Sequence, residues 1–428
     1  MRFALVNPNW SFEGSIYFGC REPHLPIEFG YSQAILERHG HEVLLVDAHV
    51  TGLSPEQLST SIAAFSPDIT ILATAPSYLF WRCPPPELRA PLKCVRALRK
   101  HAGILGAVGP HPSTTPAATL KKLDIDFAIR GEFETVLPLL AQIPQSEWMR
   151  IPSFSGNCGG TFHAGEPNFC ALSELPALKW PSSFIRGHRH QHHRFDSLPN
   201  GPGAEVEGSR GCPFRCTFCA KENFRNKYRK RPMDVVLEEI EGLLEQGVEY
   251  IYFIDEIFLP DRQLLSALIP YKLKFGIQTR IDLWDHNALR LAGAAGCASI
   301  EAGIESVTPE GRAQWAKHSS LTLSEMADLL VFAKAHIPFV QANLIASESD
   351  GTDKIELWRA GLFACGVWAN KPVPVFPYPG SPIYRSKWGD PDDYAWERAH
   401  EFYLNAHSEF SDIQEQQPLP LCTLESVP

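Results

Sequence analysis

The chain has little of what would place it in several common classes. It has no apolar run near the ~18–20 residues that cross a bilayer, so no segment reads as a membrane span. It has no excess of positive charge. Its 39 Lys and Arg stand against 49 Asp and Glu, a net charge of -10, and such a surface does not gather nucleic acid. No Gly-x-Gly-x-x-Gly follows the first predicted strand, which excludes the dinucleotide fingerprint. The opening MRFALVNPNW lacks the charged-then-apolar build of a secretion signal. Eleven cysteines over 428 residues do not look like the disulfide framework of a small secreted domain. Together these absences predict a globular, cytoplasmic protein. The 44% of hydrophobic and 21% of charged residues are ordinary for that class. The length suits two to three domains of about 150 residues each.

The most telling shortage is of one cysteine. Cys212, Cys216 and Cys219 stand in G-C-P-F-R-C-T-F-C, a C-x3-C-x2-C spacing, and the next cysteine is Cys297. A ferredoxin-type four-iron cluster takes four thiolates, commonly from one run. Three thiolates for four irons leave one iron open to a substrate or cofactor. Structural zinc sites pair one close set of ligands with a second, which this run lacks. Cys20, Cys83, Cys94, Cys158, Cys170, Cys297, Cys365 and Cys422 are scattered and read mostly as small core residues.

Two strand–helix alternations follow one another. In residues 1–150, apolar runs Phe3 to Val6, Val43 to Val46, Ile69 to Ala73, Ile104 to Val108 and Phe127 to Ile129 each stop at small, polar or proline residues. This predicts an α/β domain with a parallel sheet, whose ligands bind at the strand carboxyl ends. Residues 151–204 read as a linker. Its histidine-rich stretch 186–194 lacks metal-ligand spacing and reads as a solvated or substrate-facing loop. From 205 to 370, runs at Glu205 to Gly208, Tyr250 to Ile254, Lys274 to Thr279, Ala298 to Ile304, Phe339 to Ile345 and Gly366 to Trp368 predict a partial (β/α)6 barrel. The apolar stripe of Val235, Val236, Ile240, Leu243 and Leu244 predicts a helix over Met233–Glu245. The C-terminal extension, 371–428, is rich in proline and aromatics and is expected to close over the barrel mouth. Alternation puts Glu301, Gly303 and Glu305 on one face of the fourth barrel strand. Acids facing a barrel interior need a partner or a ligand, and Arg280, whose fork binds bidentately, is the natural carboxylate partner. The basic run 221–231 reads first as solvated surface, with a phosphate-bearing substrate or RNA stacking as alternatives.

The cysteine run, with Phe218 just before its last cysteine, resembles the cluster motif of the radical S-adenosylmethionine (radical SAM) superfamily. The resemblance implies a [4Fe-4S] cluster whose open iron chelates S-adenosylmethionine (SAM). One electron then cleaves SAM to methionine and a 5′-deoxyadenosyl radical, which abstracts hydrogen from an unactivated carbon. It also implies an electron donor such as a flavodoxin or ferredoxin. Asp255-Glu256, ending the second barrel strand, matches the acid that binds the SAM amino group, without the two glycines of that motif. Arg280, Glu301, Glu305 and Ser306 are implied as contacts to the SAM carboxylate and ribose. Gln341, Asn343 and Ile345 fall where the family's backbone holds adenine, without its glycine-rich version.

The first domain resembles the Rossmann-like cobalamin-binding domain of one branch of that superfamily. The matching pieces are Asn7-Pro8, the turn from Gly109 to Ser113, and Arg130-Gly131-Glu132-Phe133-Glu134. They imply corrin contacts from Asn7, Gly109, His111, Gly131 and Glu132. The loop Ser77-Tyr78-Leu79-Phe80-Trp81 is expected to cover the lower corrin face, with Ser77 and Tyr78 as contacts. Asp47, His49 and Gly52 spell a D-x-H-x-x-G motif, but after the second strand rather than the first, so His49 is read as no cobalt ligand. The implied protein is a cobalamin (B12)-binding-domain-containing radical SAM protein of a type associated with oligosaccharide or natural-product biosynthesis. Its implied activity is C-methylation of a sugar or natural product. A cyclisation or rearrangement without methyl transfer is the first alternative, and a non-enzymatic cobalamin or redox sensor the second.

Overall fold

The computed structural model describes residues 1–16, 23–77, 83–188, 201–406 and 417–426. The expected contacts of Tyr78, the loop around it, Cys20 and the histidines at 190, 192 and 193 lie outside the described residues.

The first sheet is built on β1 (Arg2–Asn7), β2 (Glu42–Asp47), β3 (Ile69–Ala73), β4 (Ile104–Val108) and β5 (Phe127–Ile129), all parallel and in the order β2-β1-β3-β4-β5. Both faces are covered. Phe3 and Leu5 of β1 pack with Ile69, Ile71 and Phe127 on one side, while Ala4 and Val6 pack with Leu72, Leu105 and Ala107 on the other. Burial on both sides is why these strands read as continuous apolar runs rather than alternating ones. The chain leaves β1 toward β2 on one side and β3 on the other. The crevice between the carboxyl ends of β1 and β3 is therefore the topological switch point, where such sheets hold ligands.

The stretch expected to be a linker carries part of this sheet. β6 (Phe154–Cys158) pairs antiparallel with β5, and β7 (Thr161–Ala164) closes a hairpin on it. The hairpin turns at Gly159-Gly160, both with positive φ. Only short, mostly polar strands build it, so hydrophobic periodicity gave no signal there.

The second sheet has six parallel strands in sequential order: β8 (Gly203–Val206), β11 (Tyr250–Phe253), β12 (Lys274–Thr279), β13 (Cys297–Glu305), β14 (Phe339–Leu344) and β15 (Trp368–Ala369). Sequential order with crossover helices is the winding of a barrel, and β8 and β15 remain its two edges. The helix Met233–Glu245 forms as the stripe predicts. Two residues each of β9 (Ser209–Arg210) and β10 (Arg229–Lys230) pair antiparallel and close the long loop after β8 at its base.

The C-terminal extension straps the two domains together rather than covering the barrel alone. Ile383 donates its N–H to Thr217 O in the cysteine loop at 2.9 Å. Trp396 stacks on His111 at 4.4 Å and donates to Thr115 Oγ1 at 3.2 Å. Lys122 of the first domain pairs with Glu397 at 2.8 Å and Glu425 at 2.6 Å.

Candidate active site

The three cysteines lie in the loop that leaves β9, at the carboxyl end of the first barrel strand. Gly211 starts this loop at φ +79°, and a Cβ there would sit 2.1 Å from Lys227 O. Only glycine fits that approach. The loop is tied on three sides. Thr217 donates its N–H to Trp315 O at 3.1 Å and its Oγ1 to Gln314 O at 3.0 Å. Phe218 packs edge-on against Trp315 at 6.1 Å. Lys221 Nζ donates to Cys212 O at 2.6 Å and to Asn226 O at 3.2 Å.

The thiols are half-buried and act on one another. Burial raises all three, Cys219 up to about 12, and the positive charge of Lys317 is the main opposing effect at Cys216. The charges of Cys212 and Cys216 are felt at Cys219, so the three are near neighbours, and three thiolates in one loop are the donor set of a cluster with one open iron.

The strand ends around the loop carry charge. Arg280, after β12, pairs with Asp282 at 2.7 Å, donates to His318 O at 2.7 Å and stacks over the Phe214 ring at 4.1 Å. Its ion pair is with Asp282 and not with Glu301 or Glu305, although the charge of Glu305 is felt at Arg280. Glu305 pairs with Lys317 instead. Glu305 sits at φ +68°, where β13 slips register against β14, a strained position for a residue with a side chain. Glu301 faces Gln278 and Gln341 across the sheet in one row, and all three are partly exposed. Asn343, two residues further along β14, is exposed to the same degree.

Several expected contacts have protein partners. Asp255 accepts from Gly208 N at 2.8 Å and from Ser209 Oγ, and burial pushes its carboxyl up to about 7. These two bonds close the turn before the cysteine loop. Glu256 accepts from Gly211 N at 2.6 Å and Arg225 at 2.7 Å. Ser306 is fully buried and locked to Asp350 at 2.8 Å and Thr308 at 3.2 Å, so it shapes a helix entry.

The first-domain residues are likewise engaged. Asn7 donates to Asp47 at 3.0 Å and accepts from Trp10 at 3.0 Å. Ser77 donates to Glu28. Gly109 and Gly131 are stitched together by Ser113, whose Oγ donates to Gly109 O at 2.6 Å and accepts from Gly131 N at 2.9 Å. His111 is 1% exposed under Trp396, and burial lowers its imidazole to about 3. His111, expected to contact the corrin, meets the C-terminal strap through Trp396. Glu132 pairs with Arg229 and with Arg210 at 3.3 Å. His49 is held at about 4 by burial and by His188.

The basic run is solvated surface only in part, since Lys227 and Lys230 are exposed but its other basic residues turn inward. Arg225 and Arg231 are buried, with Lys221. Arg225 pairs with Glu28, Glu207 and Glu256, while Arg210 pairs with Glu132, Glu134 and Glu207. Four of these partners come from distant parts of the chain, so no local pattern announced them. Lys317 was also missed in the sequence, where it stands in an unremarkable helix end.

The profile of the radical SAM superfamily matches residues 206–346. Among curated proteins, an uncharacterized methyltransferase of Pyrococcus horikoshii is 23% identical over 322 residues, 72% of this chain and 66% of that protein. The anaerobic magnesium-protoporphyrin IX monomethyl ester cyclase of Cereibacter sphaeroides is 25% identical over 330 residues, 71% of this chain and 50% of that protein. The chain therefore spans half to two thirds of the length of these two relatives. Among solved structures, the radical SAM methyltransferase TsrM of Kitasatospora setae, with cobalamin and a [4Fe-4S] cluster bound, superimposes with a TM-score of 0.73 at 16% identity, covering 96% of this chain and 86% of that one. Residues 206–346 are thus a radical SAM domain, and the chain as a whole shares the fold of a radical SAM methyltransferase that binds cobalamin.

Proposed function

We propose that this protein is a cobalamin-dependent radical SAM enzyme that methylates an unactivated carbon of a small molecule, of the sugar or natural-product kind. The observation that carries this reading is the cysteine loop: three neighbouring thiols at the carboxyl end of the first strand of a six-stranded barrel, in a chain whose first domain is doubly wound. Cys212, Cys216 and Cys219 would hold a [4Fe-4S] cluster. Arg280, at the end of β12, and Lys317, just past the helix Pro309–Gln314, lie near Cys216 and suit the SAM carboxylate. Glu256 suits its ammonium, because a carboxylate accepts more hydrogen bonds than the two it makes here. Glu301, Gln341 and Asn343 line the inner face and suit the ribose and adenine. The crevice between Asn7 and Ser77 suits the corrin, and a flavodoxin or ferredoxin suits as electron source. When bound, the cluster and SAM supply a carbon-centred radical oxidant, and cobalamin supplies a methyl carrier. The protein's own part is to orient these groups and exclude water.

A radical cyclisation without methyl transfer is the second reading, favoured by the likeness to the cyclase of Cereibacter sphaeroides. Anaerobically reconstituted protein, incubated with SAM, reductant and candidate substrates, separates the two. Formation of S-adenosylhomocysteine beside 5′-deoxyadenosine supports methylation, and 5′-deoxyadenosine alone supports cyclisation. Cys216→Ala should form neither product. Normal SAM cleavage by that variant defeats both readings.

A further inference from the structure

Buried charges lose their water, and a lattice of them between two domains is a costly way to join surfaces. One thread through the lattice is unbroken. Ser77, at the end of β3, donates to one oxygen of Glu28. The other oxygen of Glu28 accepts from Arg225 at 3.2 Å. Arg225 also donates to Glu207 at 3.0 Å and to Glu256 at 2.7 Å. The second oxygen of Glu256 accepts from Gly211 N at 2.6 Å, and Gly211 is bonded to Cys212. The neighbouring thread through Arg210 meets this one at Glu207 and runs on to Glu132, Glu134 and Cys170.

We propose that Arg225 is a positioning residue that fixes the cysteine loop in register with the crevice between β1 and β3, so that occupancy of the crevice is felt at the loop. A guanidinium directs its N–H groups rigidly in one plane and holds several carboxylates at set angles. A lysine ammonium has no such fork. The Arg225 side chain is 2% exposed, so water does not replace a lost contact. At the far end, Gly211 has no room to shift toward Lys227. Movement of Ser77 therefore passes through Glu28 and Arg225 to the backbone beside Cys212. The choice of corrin as crevice ligand rests on the proposed function; the pin itself does not.

Hydrogen exchange at residues 211–219, followed by mass spectrometry on the apoprotein and then with hydroxocobalamin, tests this. In the wild type, hydroxocobalamin should slow exchange in that segment. Arg225→Lys should exchange about tenfold faster there without any ligand, and should not respond to hydroxocobalamin. Ser77→Ala should keep the wild-type apo rate and lose the response. Should Arg225→Lys fail to fold, Glu28→Gln takes its place in the apo comparison. Wild-type apo exchange in Arg225→Lys, or a hydroxocobalamin response that survives Ser77→Ala, overturns the proposal. Wild-type protein that retains no hydroxocobalamin after gel filtration defeats the cofactor reading instead, and the apo comparison still decides the pin.

Discussion

The guanidinium of Arg280 lies over the ring of Phe214, 4.1 Å from its centroid, and so joins the end of β12 to the loop between Cys212 and Cys216. Stacking and a pair with Asp282 hold this cation in place. Lys317, paired with Glu305, places a second cation beside Cys216. The barrel mouth thus has two fixed positive groups next to the thiols.

These cations should bind the carboxylate of SAM. Arg280→Met and Lys317→Met should each weaken SAM binding about 10- to 100-fold, since a charge-assisted hydrogen bond contributes about 1.5–3 kcal/mol. Equilibrium dialysis on reconstituted protein measures this. Wild-type affinity in both variants would move the methionine end of SAM elsewhere.

Gly211→Ala should lose the cluster while keeping the fold. The substitution forces a Cβ against Lys227 O from a left-handed conformation, a strain of about 1–3 kcal/mol that the loop relieves by shifting. Iron content after reconstitution should fall well below the wild type, with an unchanged far-ultraviolet circular dichroism spectrum. Full iron content in Gly211→Ala would show that the loop tolerates the shift.

Asp255 predicts a pH dependence of stability. Its folded-state value, about 7, lies above its ordinary 3.8, because burial disfavours the charge. Between those values the unfolded chain has lost the proton that the folded chain keeps. Stability from this group is therefore full below about pH 4 and falls as pH rises to about 7. Asp255→Asn, which keeps an acceptor for Gly208 N, should flatten the decline in denaturation midpoint across that window. An identical pH profile in the variant would assign the decline to other groups.

His49→Ala should leave the absorbance and electron-spin spectrum of bound cobalamin unchanged. Asp47 accepts from the backbone N–H groups of His49 and Val50 at 3.0 and 3.1 Å, which makes the D-x-H segment a turn at the end of edge strand β2. Nitrogen hyperfine splitting that disappears in the variant would make His49 the cobalt ligand after all.

Much of this molecule was legible in its sequence. Strands Ile69–Ala73, Ile104–Val108 and Phe127–Ile129 lie where their apolar runs stop, and the helix Met233–Glu245 ends where its stripe ends. The spacing of Cys212, Cys216 and Cys219 specified one loop at the first barrel strand. These are short-range facts: periodicity and spacing act within a few residues, and burial on both sheet faces makes them loud. What only the tertiary structure decided are the partners of charged groups. Arg225 finds Glu28 across 197 positions of sequence, and Trp396 covers His111 from the far end of the chain. A row of Arg and Lys looks the same in sequence whether it meets water or buried carboxylates. Which it meets depends on how two independently wound sheets dock, and no local pattern encodes that.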